Sequence, residues 1–200
     1  MEQIINETVE ALRQGKTILY PTDTIWGIGC DARNAEAVER LYTIKERDRS
    51  KSMLVLVRSA ECGVMSSLLY KLKPQNSELR TPNSELTRPT TYILPREIWE
   101  PALGDSIAPN LPADDGTLGI RIPHHTFCQE VLRRLGAPLV STSANLSGHP
   151  SPATYDAIDE TLKHRVGYCV PPRPAFLSAE TRGSRIVKVN PDGSQTVIRP

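Results

Sequence analysis

GKTILYPTDTIWGIGC, residues 15–30, holds two extended runs separated by a polar turn. Thr17-Ile18-Leu19-Tyr20 is short, apolar and rich in strand formers. Pro21, with no amide hydrogen to give a ladder, ends it. Beyond Thr22-Asp23-Thr24, residues Ile25 to Cys30 resume an extended pattern. On the N-terminal side, Ile4, Ile5, Thr8, Val9 and Leu12 recur at helical spacing, and Gly15 stands where a helix closes in left-handed geometry. A helix followed at once by two strands predicts an α/β domain.

The alternation continues outward. Asn34 can cap a helix whose apolar stripe is Ala37, Val38, Leu41 and Ile44. Met53–Val57 reads as a buried strand and Ala60–Leu72 as a helix. Thr90–Leu94, Leu118–Ile122 and Leu139–Thr142 read as further strands, Phe127–Leu135 and Tyr155–Leu162 as further helices. Ile186–Val189 and Thr196–Arg199 flank Asn190-Pro191-Asp192-Gly193, a hairpin turn. A closing hairpin on interleaved strands and helices predicts a mixed sheet, parallel and antiparallel, flanked by helices. Asn76-Ser77-Glu78-Leu79 recurs as Asn83-Ser84-Glu85-Leu86, two copies being too few for a coiled coil. The expectation is one domain over residues 1–200 with a surface insertion at 74–88.

Composition excludes several classes. Hydrophobic residues make up 38% of the 200 and charged ones 24%, a globular balance. The formal net charge of +1 gives no bulk field for nucleic acid, so a polyanion site must come from local clustering of Lys and Arg. Cys30, Cys62, Cys128 and Cys169 form no C-x-x-C pair, which reads as reduced thiols rather than a zinc site or disulfide framework. The N-terminus has no signal-peptide core, and no apolar run reaches the roughly 20 residues of a membrane span. A cytoplasmic protein without a membrane partner is expected.

Four clusters could carry chemistry. Tyr20-Pro21-Thr22-Asp23-Thr24 lies at the C-terminal end of a strand, the edge where α/β sheets place ligands; it could equally be a hydrogen-bonded turn. Lys45-Glu46-Arg47-Asp48-Arg49-Ser50-Lys51 could hold a triphosphate, or be a solvated helix end. Ser141-Thr142-Ser143-Ala144-Asn145-Leu146-Ser147-Gly148 follows a strand and suits a phosphate or nucleobase nest, though no P-loop is present. Thr117 and Arg121, four apart, would share one strand face, and Arg121 among apolar neighbours needs either an internal carboxylate or a ligand anion. His124 and His125 read as surface or cap residues, and Ser143 lies in no G-x-S-x-G elbow.

Taken in order, Tyr20-Pro-Thr-Asp-Thr24, Lys45-x-Arg47, Gly119-Ile-Arg-Ile-Pro123, Ser141-Thr-Ser-Ala-Asn-Leu-Ser-Gly148, Ser184-Arg-Ile-Val187 and Arg199 resemble the YrdC-type threonylcarbamoyl-adenylate synthases in their short, single-domain form. The resemblance covers the chain except Pro74–Arg88. It implies a twisted mixed sheet with a concave, cationic cleft. It also implies a reaction in which ATP, L-threonine and bicarbonate give threonylcarbamoyl-AMP and pyrophosphate, with magnesium. The product would pass to downstream threonylcarbamoyl-transferase proteins that modify adenosine 37 of tRNA, and the tRNA itself could bind the basic cleft.

By position, the resemblance implies that Thr24, Arg121, Ser141 and Ser184 bind threonine, with Arg121 on its carboxylate. Arg47, Lys51, Thr117, Ser143, Ser151 and Arg199 would contact ATP. Lys45 would join them at the phosphates and Asn145 would shape the loop. Catalysis would then fall to Lys45, Arg47 and Arg121 as positioning and charge-stabilising groups, with no metal-ligating side chain assigned. The chain departs from the family pattern at Trp26, where Tyr is common, at Ser52, where Pro is common, at Leu56, often His in the long form, and at Arg185, usually Thr. An RNA-binding module of the same fold is the alternative; it has no need of a threonine-sized pocket at both Arg121 and Ser184. A carbamoyl-transfer enzyme of hydrogenase maturation would need added regions that this length and cysteine pattern do not supply.

Overall fold

The structure, a computed structural model, describes residues 1–48, 53–58, 88–152, 154–176 and 182–200. Its first helix, α1 (Glu2–Arg13), buries Ile4, Ile5, Val9 and Leu12, and the chain turns through Gly15 at φ +72° into β1 (Ile18–Tyr20). β2 (Gly27–Asp31) pairs antiparallel with it. Asn34 then caps α2 (Ala35–Lys45), its Oδ1 accepting from the Ala37 amide at 2.9 Å. β3 (Leu54–Leu56), β4 (Thr90–Leu94) and β5 (Leu118–Arg121) follow, with α3 (Arg96–Leu103) between the last two. The C-terminal half adds α4 (Thr126–Leu135), β6 (Leu139–Ser143), α5 (Glu160–Arg165), β7 (Tyr168–Cys169) and the hairpin β8 (Arg185–Val189) with β9 (Gln195–Arg199).

Among the described residues the strands form one nine-stranded sheet in the order β7-β1-β2-β6-β3-β5-β4-β8-β9. β1/β7, β3/β5 and β4/β8 are parallel; the other five pairings are antiparallel. The expected mixed sheet is present. Two apolar clusters pack on it. One, with Val38, Leu41, Trp99, Leu103 and Leu118, lies under α2 and α3; the other, with Leu12, Ile18, Phe127, Val131 and Leu139, lies under α1 and α4. Each fully buried Leu, Ile or Phe contributes roughly 1.5–3 kcal/mol of transfer free energy, which holds the sheet as one platform. Gly29 shows how tight its centre is: a β-carbon there would fall 2.1 Å from the Val140 carbonyl oxygen.

Several expectations need correction. The Tyr155–Leu162 helix does not form; α5 starts at Glu160 because the Asp159 carboxylate accepts the Thr161 amide at 2.7 Å. Tyr155 instead lies edge-on to Trp26, ring centroids 4.8 Å apart, with Lys163 over its face. Helix α3 was hidden by Pro95 and Pro101. It forms because Trp99 and Leu103 bury, and the Trp99 indole donates to the Gly116 carbonyl at 3.0 Å. β7 is only two residues long, too short for a periodic signal. The Ala60–Leu72 helix and residues 74–87 of the insertion lie outside the described residues.

Candidate active-site cleft

The edge of the sheet where β2 begins and β6 ends opens into a cleft of about 280 Å³. That is close to the lower end of the roughly 300–1,000 Å³ usual for small-molecule sites. Its floor is Gly27 and Gly119; its walls come from the 22–26 turn, the end of β6, β4 and the Gly183–Ser184 approach to β8. Arg47, Arg121 and Arg199 all line it, and no carboxylate does among the described residues. The lining suits an anion.

Thr22-Asp23-Thr24 is more than a turn. Thr22 Oγ1 gives its proton to the Ile25 carbonyl at 2.7 Å and accepts the Thr24 amide at 3.1 Å. With that donor committed, the 3.0 Å contact between the two hydroxyls has Thr24 donating. Thr24 Oγ1 in turn accepts from Arg121 Nη1 at 3.1 Å. Arg121, 3% exposed at the end of β5, also faces the Asp23 carboxylate, Nη2 to Oδ1 3.4 Å. Asp23 Oδ2 meanwhile accepts the His124 amide at 2.9 Å. So the arginine expected to need a partner has an internal one, and Thr24 and Asp23 together fix its plane against the cleft.

The same economy recurs around the wall. Tyr20 donates its buried hydroxyl to Ser141 Oγ at 2.6 Å; burial pushes the Tyr20 pKa up, so the phenol stays protonated. Ser184 Oγ lies 2.8 Å from Thr91 Oγ1, and Arg199 Nε donates to the Ser184 carbonyl at 2.8 Å. The resemblance assigns no ligand contact to Tyr20, Thr22, Asp23 or Thr91. The first three sit in the quoted Tyr20–Thr24 motif and act by holding it; Thr91 carries no signal beyond strand composition.

Thr24, Arg47, Arg121, Ser141, Ser143, Ser151, Ser184 and Arg199 therefore converge on one cleft from across the chain. Three other candidates stand apart. Lys45 is 1% exposed, and its ammonium donates to the main-chain oxygens of Ser143 at 2.6 Å and Asn145 at 2.7 Å, so it clamps the loop instead of facing a phosphate. Burial and, next, the charge of Arg47 lower its pKa to about 7. Thr117 does not share the β5 face with Arg121: the strand begins at Leu118, and the Thr117 hydroxyl and amide both go to Asp115, at 2.6 and 3.0 Å. Asn145 turns inward along its own loop, its amide nitrogen donating to the carbonyls of Leu146 and His149 at 3.0 and 2.6 Å. Lys51 lies outside the described residues.

A family profile covering Sua5, YciO and YrdC proteins, described as "telomere recombination", matches residues 10–200. The chain belongs to the Sua5/YciO/YrdC family. A relative from Vibrio parahaemolyticus named threonylcarbamoyl-AMP synthase is 30% identical over 182 residues, 91% of this chain and 88% of that protein.

The family's fold is shared as well. P. abyssi Sua5, solved with L-threonine, superposes with a TM-score of 0.72 at 20% identity over 98% of this chain, which spans about half (53%) of the archaeal protein. E. coli YciO gives 0.69 at 22% identity over all of this chain and 89% of its own length. At such identities the likeness is one of architecture: the mixed sheet carries the family's motifs to a common edge. Leu56, noted above as a departure from the long-form pattern, is fully buried in the α1–α4 cluster.

Proposed function

We propose that this protein is a threonylcarbamoyl-AMP synthase. The observation that carries the reading is Arg121, a guanidinium pinned by Asp23 and Thr24 at the floor of an arginine-lined cleft. An L-threonine carboxylate would take its planar fork, with the Ser141 and Ser184 hydroxyls at the amino-acid end of the cleft. The name of the Vibrio parahaemolyticus relative supports the same assignment.

The reaction needs no covalent protein intermediate. The threonine amine, deprotonated, adds to the carbon of bicarbonate and releases water, leaving a carbamate. A carbamate oxygen then attacks the α-phosphorus of ATP, the bond to the β-phosphate oxygen breaks, and pyrophosphate leaves with the electron pair. Arg47, Ser143, Ser151 and Arg199 would hold the nucleotide while Arg121 holds the amino acid, so the protein's part is positioning and stabilisation of phosphate charge. Lys45 would act on the loop and not on the phosphates.

Magnesium would arrive on the triphosphate. The guanidinium groups of the cleft suit the phosphates and cannot ligate the ion. Among the lining side chains only Thr and Ser hydroxyls offer oxygen, so the ion would keep mainly phosphate and water oxygens as ligands. Bound there, it would neutralise charge on the leaving group. The adenylate would serve downstream threonylcarbamoyl-transferase proteins acting on adenosine 37 of tRNA, in the cytoplasm. No described helix is long and apolar enough to cross a membrane.

Pyrophosphate release from ATP, followed with each co-substrate omitted in turn, tests the reading. Release that requires both L-threonine and bicarbonate is expected; release indifferent to threonine refutes it.

A further inference from the structure

Beside the β4–β8 end of the cleft, next to its lining residues, stands a guanidinium that neither the motifs nor the reaction above employs. Arg88 leads into β4: its carbonyl accepts from Thr90 Oγ1 at 3.1 Å, and the next carbonyl, that of Pro89, accepts the Arg185 amide at 2.9 Å. β4 and β8 run parallel with Thr90 beside Arg185, so two residues back Arg88 comes level with Gly183. Arg199 occupies that same spot. A β-carbon on Gly183 would fall 2.8 Å from Arg199 Nη2 and 2.9 Å from its Cζ. The register thus brings the Arg88 main chain beside Gly183, the glycine against which the Arg199 guanidinium lies, next to Ser184 in the cleft wall.

Among the described residues no carboxylate lines the cleft to offset these charges. Asp23 answers Arg121, and Arg199 is held by the main-chain oxygen of Ser184. Arg88 Nε is buried and has no hydrogen-bond partner among the described residues, and neither has Arg121 Nε. The Arg199 pKa is lowered by burial first and then by the charges of Arg121 and Arg88, which places the three guanidinium groups within electrostatic reach of one another. Buried donors without partners and clustered like charges are costly, and an anion with several oxygens relieves both.

We propose that Arg88, with Arg199, forms an anion site that holds phosphate oxygens of the nucleotide's leaving group, Arg121 being kept for the amino acid. The inference rests on the nucleotide reading of the cleft. A pyrophosphate group offers enough oxygens to meet more than one guanidinium fork; bicarbonate, with a single charge, does not call for two.

Calorimetric titration with magnesium pyrophosphate, without turnover, tests it on the unaltered protein, Arg88→Gln and the charge-matched control Arg173→Gln. Arg88→Gln should weaken pyrophosphate binding at least about tenfold, the loss expected for a hydrogen bond to a charged group. Arg173→Gln should leave it unchanged, as should Arg88→Gln for the bicarbonate KM in the release assay. Equal affinity in Arg88→Gln, equal weakening in the control, or no pyrophosphate binding to the unaltered protein overturns the proposal. So does a raised bicarbonate KM with pyrophosphate affinity intact. Thermal unfolding checks that Arg88→Gln is folded; if it is not, Arg88→Lys, which keeps the charge and loses the fork, should show the same weakening in smaller degree. Absence of threonine-dependent release would sink the synthase reading while leaving the pyrophosphate result to stand by itself.

Discussion

The ammonium nitrogen of Lys45, at the last residue of α2, lies 2.6 Å from the carbonyl oxygen of Ser143, at the last residue of β6. Its second bond, to the Asn145 carbonyl, and the return bond from the Ser147 amide to the Lys45 carbonyl at 2.9 Å tie the loop to the helix end. The Lys-x-Arg motif therefore divides its labour: Lys45 sets the Ser143–Ser147 backbone and Arg47 lines the cleft.

That clamp has a pH signature. The Lys45 pKa is lowered from 10.5 to about 7, burial being the larger cause and the charge of Arg47 the lesser. Between those values an unfolded chain binds a proton that the folded one has released, so this group makes stability rise with pH from about 7 to 10.5 and adds no slope below. A neutral amine still has two N–H donors for its two carbonyls, so the clamp survives deprotonation. Urea unfolding of the unaltered protein and of Lys45→Met at several pH values should show their stability difference growing in favour of the unaltered protein from pH 7 to 9. A flat or shrinking difference contradicts the assignment.

Arg121→Lys keeps the charge and loses the fork that Asp23 and Thr24 hold in plane. The KM for threonine should rise about tenfold or more, while the KM for ATP moves only a few-fold. Steady-state pyrophosphate release at varied threonine and varied ATP separates the two; equal effects on both would assign Arg121 a general structural role.

Gly29→Ala should destabilise the protein by about 2–3 kcal/mol or more, because the new methyl would meet the Val140 carbonyl in the middle of the sheet. The urea midpoint reads this directly. An unchanged midpoint would mean that β2 and β6 can part without cost.

Most of the fold was legible where one periodicity dominated. The α1 stripe, the Asn34 cap, β4 at Thr90–Leu94 and the Asn190–Gly193 turn all stand where patterning put them, since burial and local chemistry agree there. Sequence failed where a long-range contact outweighed local preference: Trp99 draws a helix through Pro101, and Trp26 holds Tyr155 out of one. The site follows the same division. Its residue types and strand-end placement were readable, which is why eight candidates meet in one cleft. Direction was not readable: Lys45 could be counted among the cations, but only tertiary packing turns its ammonium onto the Ser143 and Asn145 carbonyls. Likewise the placing of Arg88 beside Gly183 depends on the register of β4 with β8, which no local pattern encodes.

The most direct measurement is mass spectrometry of the product formed from ATP, L-threonine and carbon-13-labelled bicarbonate with magnesium. The account predicts a threonylcarbamoyl-AMP ion carrying one labelled carbon, accompanied by an equal amount of pyrophosphate and largely lost in Arg121→Ala. Folded protein that binds ATP yet yields no labelled adenylate would contradict it, and would leave the RNA-binding module as the reading to pursue.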